Sequence, residues 1–172
     1  MRHVETKTTY LEMFERPPLD DPSPRSDLSI EHLVDSDPKM YRSLYLGVGC
    51  NHAWNDREDF TDQQLREMLD DPHLEIHLFR IAGQAAGFCE LDRNVLDQVL
   101  IMYFGLMPPY IGQGLGKYFL QETLRIAWSY GPRRVWLHTC DLDHGAALPN
   151  YLKAGFRVYD CRMLTKEVPD DF

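Results

Sequence analysis

A short stretch, Gly112-Gln113-Gly114-Leu115-Gly116-Lys117, has the composition of an anion cradle. Three glycines in alternation let a phosphate approach the main chain, because a Cβ there would hold the anion away from the amides. The same residues also describe a flexible turn without a ligand, and the flanking elements must decide between the two. A second group, His73, Glu75 and His77, alternates so that all three share one face of a strand. Two imidazoles and a carboxylate could hold a metal there, and the same alternation describes an ordinary solvated face. The spacing supplies no full ligand set, so no metal is expected.

The elements around the glycines favour the cradle. Val99 to Met107 is an apolar run halted by Pro108-Pro109, which reads as a buried strand. Beyond the glycines, Phe119, Leu120, Leu124, Ala127 and Trp128 fall on one helical stripe, which stops at Gly131-Pro132. Arg134 to Cys140 is a further buried strand. Strand, helix, strand of this length predicts a parallel pair with a right-handed crossover. The glycine turn then opens at the carboxyl end of the first strand, where free N–H groups meet the positive helix end. A second helix carries Ala147, Leu148, Tyr151 and Leu152 and ends at Gly155, and Phe156 to Met163 makes a last strand. Pro149 is tolerated only in a first turn, so that helix starts near Ala146 or Ala147, or bends there.

Upstream, Thr6 to Phe14 predicts an edge strand, and the polar, proline-rich 20–27 stretch a surface loop. Asp35-Ser36-Asp37-Pro38 predicts a helix start, with Met40, Tyr41, Leu44 and Tyr45 at helical spacing and Gly47 and Gly49 as its end. Asn51 to Phe60 is a polar loop with an exposed Trp54, and Thr61 opens a short helix through Leu69. His73 to Ile81 and Ala85 to Leu91 predict a hairpin turning at Gly83.

Composition bounds the function. Eighteen Lys and Arg against 27 Asp and Glu give a net charge of −9, which argues against a nucleic-acid partner and slightly favours cationic substrates. Four cysteines without a CxxC pair predict reduced thiols rather than a zinc knuckle or disulfide framework. No stretch is apolar enough to span a bilayer and no secretory apolar region opens the chain, so a cytoplasmic protein without membrane contact is expected. With 44% hydrophobic residues, 1–172 reads as one globular domain.

Two linked motifs resemble the GCN5-related N-acetyltransferase (GNAT) family. Tyr110-Ile111-Gly112-Gln113-Gly114-Leu115-Gly116 is similar to its coenzyme-A pyrophosphate loop, and Ala147-x-x-x-Tyr151-x-x-x-Gly155-Phe156 to its carboxyl-terminal motif. The resemblance covers about Val99 to Phe156, and extends to the hairpin from His73. It implies an α/β (α+β) fold, with a mixed, largely antiparallel sheet, splayed parallel central strands and flanking helices. Pantetheine would lie between Val99–Met107 and Arg134–Cys140. The cofactor residues it implies are Leu106, Met107, Ile111, Gly112, Gln113, Gly114, Leu115, Gly116, Lys117 and His144. Acetyl-CoA is the implied cosubstrate and an amine the acceptor, with a homodimer allowed.

Three positions depart from the family pattern. Ile111 stands where an Arg or Gln is usual, Leu100 where histone-acetylating members carry a glutamate base, and His144 where many relatives carry an asparagine. By resemblance Tyr151 is the general acid for the departing thiolate; without the family it reads as a core tyrosine. Deprotonation of the amine falls to water held by groups such as Tyr103, His138 or Glu90. The acceptor pocket is expected from the Tyr41–Phe60 region and the hairpin around Cys89 and Glu90. Two rival functions are a catalytically silent acyl-CoA-binding module and a nucleotide-binding protein. The second is the weaker, since a P-loop needs longer glycine spacing and Ser or Thr where Tyr118 follows Lys117.

Overall fold

A computed structural model describes residues 1–21 and 25–170. The 20–27 loop expected from the sequence therefore falls partly outside the described residues. Among the described residues seven strands form one sheet: β1 (Arg2–Met13), β2 (Leu28–Leu33), β3 (Leu74–Ile81), β4 (Gln84–Asp92), β5 (Gln98–Leu106), β6 (Arg134–Cys140) and β7 (Arg157–Val168). Their spatial order is β2-β3-β4-β5-β6-β1-β7. All neighbours pair antiparallel except β5 and β6, which are parallel. The fold is thus the mixed α+β architecture implied by the motifs.

Among the described residues four α-helices cover the sheet: α1 (Pro38–Gly49), α2 (Asp62–Leu69), α3 (Leu115–Ser129) and α4 (Ala147–Lys153). The apolar stripe of α3 buries Phe119, Leu120, Leu124 and Ala127 against Leu11, Phe79, Leu91, Val135 and Leu137. On the other face Tyr41, Leu44, Tyr45 and Val48 of α1 pack with Leu65, Ile76, Leu78, Phe88 and Tyr103. A bulge in β5 opposite Glu90 and Leu91 serves both layers. Residues two apart on a regular strand share a face, yet Ile101 belongs to the α3 layer and Tyr103 to the α1 layer.

Several local readings are corrected. The first strand, expected at an edge, lies inside the sheet between β6 and β7. The edge strand β2 was not expected, although Leu28 and Ile30 alternate with Ser29 and Glu31 and pack on the α3 layer. Gly47 lies inside α1 rather than at its end, while Gly49 is its last residue, with Cys50 as the C-cap. They serve close packing: a Cβ on Gly49 would sit 2.6 Å from Cβ of Trp54, and one on Gly47 3.1 Å from Cε of Met107. Trp54 is half-buried against the α1 layer rather than exposed, whereas Met40 points to solvent. The last strand continues past Met163 to Val168, because β1 begins at Arg2 and pairs with it throughout. Pro149 sits in the first turn of α4, where a missing N–H removes no helical bond.

Candidate active site

The parallel pair is joined at only three rungs, Gln98↔Arg134, Val99↔Val135 and Leu100↔Trp136. Past Leu100 the strands part, and main-chain groups of β5 that face the gap are left without a β6 partner. A cavity of about 650 Å³ fills this fork. It runs from the glycine turn at one end, past α4, to the 52–56 segment and the β1 and β7 edge at the other.

At the turn, Pro108–Tyr110 form one 3₁₀ turn after β5. Gly112 and Gly114 then adopt φ of +80° and +75°, conformations that side-chain-bearing residues disfavour. Gly114 is the N-cap of α3 and no side chain caps the helix, so its first N–H groups remain available beside the positive helix end. A Cβ placed on Gly112, Gly114 or Gly116 would meet no atom within 4 Å, so the turn borders open space large enough for an anion. Ile111, Gly112, Gly114, Gly116 and Lys117 line the cavity. Lys117 also reaches out to Asp20, its ammonium 2.9 Å from the carboxylate in an exposed pair.

The side chains of three of the implied cofactor residues turn away from the cavity. Leu115 is buried in the α3 core, and Gln113 turns outward to donate to the Pro109 carbonyl at 2.9 Å. Met107 donates its N–H to the Ala86 carbonyl at 2.8 Å and packs its side chain against α1. Leu106 and His144 do face the cavity, and His144 uses Nδ1 to accept from the Ala146 N–H at 3.1 Å.

Tyr151 borders the middle of the cavity while packed between Phe104 and Phe156. Burial, and secondarily the negative charge of Asp143, push its phenol above the ordinary tyrosine range, so the proton is held at working pH. Asp143 accepts from Thr139 Oγ1 at 2.6 Å, the Cys140 N–H at 2.9 Å and Trp54 Nε1 at 3.3 Å. It thereby ties the 52–56 segment to the open end of β6.

The same segment is anchored on the α1 side. Arg57 Nη2 donates to Glu90 Oε1 at 2.8 Å, and Tyr41 Oη donates to Glu90 Oε2 at 2.8 Å. The Arg57 guanidinium lies 4.8 Å from the centroid of the Tyr103 ring. Glu90 is fully buried, so of the three groups proposed to hold a deprotonating water it is the one sealed from the cavity. Tyr103 and His138 line it. Burial raises the Tyr103 phenol strongly and lowers His138, which therefore rests neutral. Sequence reasoning missed Asp143 and Lys166 as site residues, and it placed Asp56 and Arg57 inside the expected 41–60 region without singling them out. Their only sequence signal was membership of the polar 51–60 loop, the lead-in to α4 and the last strand.

The paired carboxylate and imidazoles fall outside this cleft. His73 is exposed and separate, while His32 of β2, Glu75 and His77 bring one ligand atom each within 4.8 Å of one another. Glu75 is already held by His77 at 3.0 Å, Arg93 at 2.9 Å and the Tyr130 hydroxyl.

The parted parallel strands and the glycine-capped helix define an acetyltransferase-type α+β cleft. Residues 35–156 match the sequence model of the acetyltransferase (GNAT) family, and the chain belongs to that family. No curated protein matches it in sequence. Among solved structures it is similar to a GCN5-related N-acetyltransferase from Sphaerobacter thermophilus, with 18% identity and a TM-score of 0.69 over 93% of this chain and 50% of that one. This chain thus spans about half of that protein's length. It is also similar to an aminoglycoside acetyltransferase from an uncultured soil metagenomic sample, solved with trehalose, at 17% identity and TM-score 0.62, covering 75% of this chain and 88% of that. An IAA acetyltransferase from Bacillus cereus shares 20% identity and TM-score 0.59, covering 77% and 79%. At these identities the likeness is one of fold.

Proposed function

We propose that the protein is an acetyl-CoA-dependent N-acetyltransferase that acetylates a primary amine of a small molecule or protein. The observation that carries this reading is one continuous cavity, with the uncapped, glycine-lined start of α3 at one end and Tyr151 on its wall. Acetyl-CoA supplies the thioester whose C–S bond breaks as the acetyl group passes to the amine nitrogen. The residues present fit that molecule: the turn offers main-chain donors and open space to a pyrophosphate without needing the family's usual charged side chain. The unpaired edges of β5 and β6 offer main-chain groups to an extended amide-bearing arm, as an added strand would use them. Tyr151 holds the proton that the leaving sulfur requires, and its rings of contact keep the phenol fixed.

The test is thiol release from acetyl-CoA across a panel of amines, with calorimetric titration of coenzyme A alongside. Amine-dependent release is expected. Tight coenzyme-A binding with no release for any amine would overturn the enzymatic reading in favour of a silent acyl-CoA-binding module.

A further inference from the structure

We infer that the acceptor end of the cleft takes an amine of single charge on a flat apolar body, its ammonium drawn to Asp56 and its proton taken by His138. The inference rests on the acetyltransferase reading and specifies its acceptor.

Position comes first. The last rung of the parallel pair is Leu100↔Trp136, and the next cavity-lining groups beyond it include Tyr103 on β5 and His138 on β6. An amine must reach the acyl carbon where the strands part, and these two side chains border that point. The walls are aromatic. Trp54 lies 4.8 Å from Tyr103, centroid to centroid, and Tyr10 lies 5.6 Å from His138 on the opposite side. Flat rings bury a flat apolar body with little entropic cost, because each has only two side-chain torsions to fix.

Charge narrows the class. Asp143 already accepts three hydrogen bonds, and Glu90 is sealed behind Arg57. Asp56 remains exposed, and among the described residues its only side-chain donor is the Tyr103 hydroxyl at 3.3 Å. Asp56 is therefore the least engaged carboxylate at that end and the one placed to meet an ammonium. Lys166 of β7 lines the same end, and a second cation on the acceptor would meet it unfavourably.

Chemistry requires the ammonium to become neutral before it attacks. His138 is accessible from the cleft yet crowded enough that desolvation lowers its pKa, against the opposing pull of Asp143 and Asp56, with Lys166 lowering it further. The other titratable groups lining this end are His52, also lowered by burial, His144, Cys140, Tyr10 and Tyr103. A neutral imidazole takes one proton from the ammonium and passes it to solvent. The amine nitrogen then bonds to the acyl carbon and sheds a second proton as the amide forms. The C–S bond breaks, Tyr151 protonates the sulfur, and the second proton restores Tyr151. One proton is released overall.

The experiment compares 2-phenylethylamine with spermidine as acceptors, in the wild type, Asp56→Asn and His138→Gln. Expected kcat/KM for 2-phenylethylamine is about tenfold or more above that for spermidine, the order of one charge-assisted contact. Asp56→Asn should raise KM about tenfold with kcat within about twofold. His138→Gln should lower kcat about a hundredfold, leave KM nearly unchanged and remove the acidic limb of the pH profile. Preference for spermidine, or an unchanged kcat and acidic limb in His138→Gln, would overturn the inference while leaving acetyl transfer intact. If no amine releases thiol, the transfer reading fails. Binding of 2-phenylethylamine to the coenzyme-A complex, followed by tryptophan fluorescence, then decides the rest. Binding weakened by Asp56→Asn supports the site as an amine receptor; no binding, or binding indifferent to Asp56, refutes it.

Discussion

Gly116→Ala separates two consequences that most glycine substitutions confound. Gly116 is the second residue of α3, with ordinary helical backbone, and an added Cβ would meet no protein atom within 4 Å. Alanine is favoured over glycine in a helix by up to about 1 kcal/mol, so the folded state should gain stability or hold it. For a chain of this size that is a rise of about 2–4 °C in Tm at most. Coenzyme-A binding should move the other way. If the pyrophosphate seats on the amides of this turn, a methyl group beside them pushes it off at least one charge-assisted hydrogen bond. Each such bond contributes about 1.5–3 kcal/mol, so the Kd should rise roughly tenfold to a hundredfold. Gly114→Ala is the poorer probe. With φ of +75° it adds about 1–2 kcal/mol of backbone strain, and a weaker Kd there could reflect a displaced helix start. Calorimetric titration of coenzyme A and a thermal melt on the same Gly116→Ala sample give both numbers. A raised Tm with unchanged Kd would refute the turn as the pyrophosphate seat, since neither misfolding nor strain could then be invoked.

Three further outcomes are expected. Tyr151→Phe keeps the ring packed against Phe104 and Phe156, so coenzyme-A affinity and Tm should hold while kcat falls about a hundredfold; near-normal turnover with chemistry rate-limiting would make it a packing residue. Its phenol is raised by burial, so any basic limb seen below pH 10 or so should persist in the Phe variant. Arg57→Met leaves the buried Glu90 carboxylate without its cation and should destabilise by about 3–5 kcal/mol in urea melts, with much of the loss recovered by adding Glu90→Leu; a cost below about 1 kcal/mol would show that water repairs the pair. Finally, His52, His77 and His138 are all lowered by burial, so the folded state binds fewer protons than the unfolded chain as pH falls through the ordinary imidazole value of about 6.5. Stability from these groups is present above that value and is lost below it, and Tm should fall between pH 7.5 and 5.5; a Tm flat or rising on acidification contradicts the shifts.

The glycine-turn half of the cleft was legible because its determinants are local. The alternating glycines, the prolines that stop β5 and the apolar stripe of α3 lie within one strand–turn–helix unit, and that unit reports its own geometry. The fork was not legible from periodicity. Val99 to Leu106 and Arg134 to Cys140 read alike as buried strands, and nothing in either shows that pairing stops after three rungs. Only the family resemblance implied it. The β5 bulge was equally hidden, since one extra residue leaves no mark on an unbroken apolar run. At α1 the stop falls at Gly49, as the glycines suggested, but their second role was hidden: Trp54 and Met107 occupy the space the missing side chains of Gly49 and Gly47 leave.

The other half of the cleft depends on contacts between residues far apart in the chain, which is why the 41–60 region could be named as a pocket wall but its contacts could not. Arg57 reaches Glu90 of β4, Trp54 reaches Asp143 beyond β6, and between these two anchors Asp56 is held at the mouth of the fork. This arrangement also changes the meaning of Leu100. A leucine where some relatives place a glutamate base suggested a silent protein, on the premise that the base must stand on that strand. Leu100, however, occupies the last closed rung, paired with Trp136, whereas the strands separate only beyond it. Groups that can meet an amine in the open fork come from past that rung: Tyr103 on β5, His138 on β6 and Asp56 from the loop. Losing a carboxylate at position 100 therefore removes no group from the part of the cleft an acceptor can enter. The silent reading then needs support from measured turnover, because the substitution at Leu100 no longer supplies it.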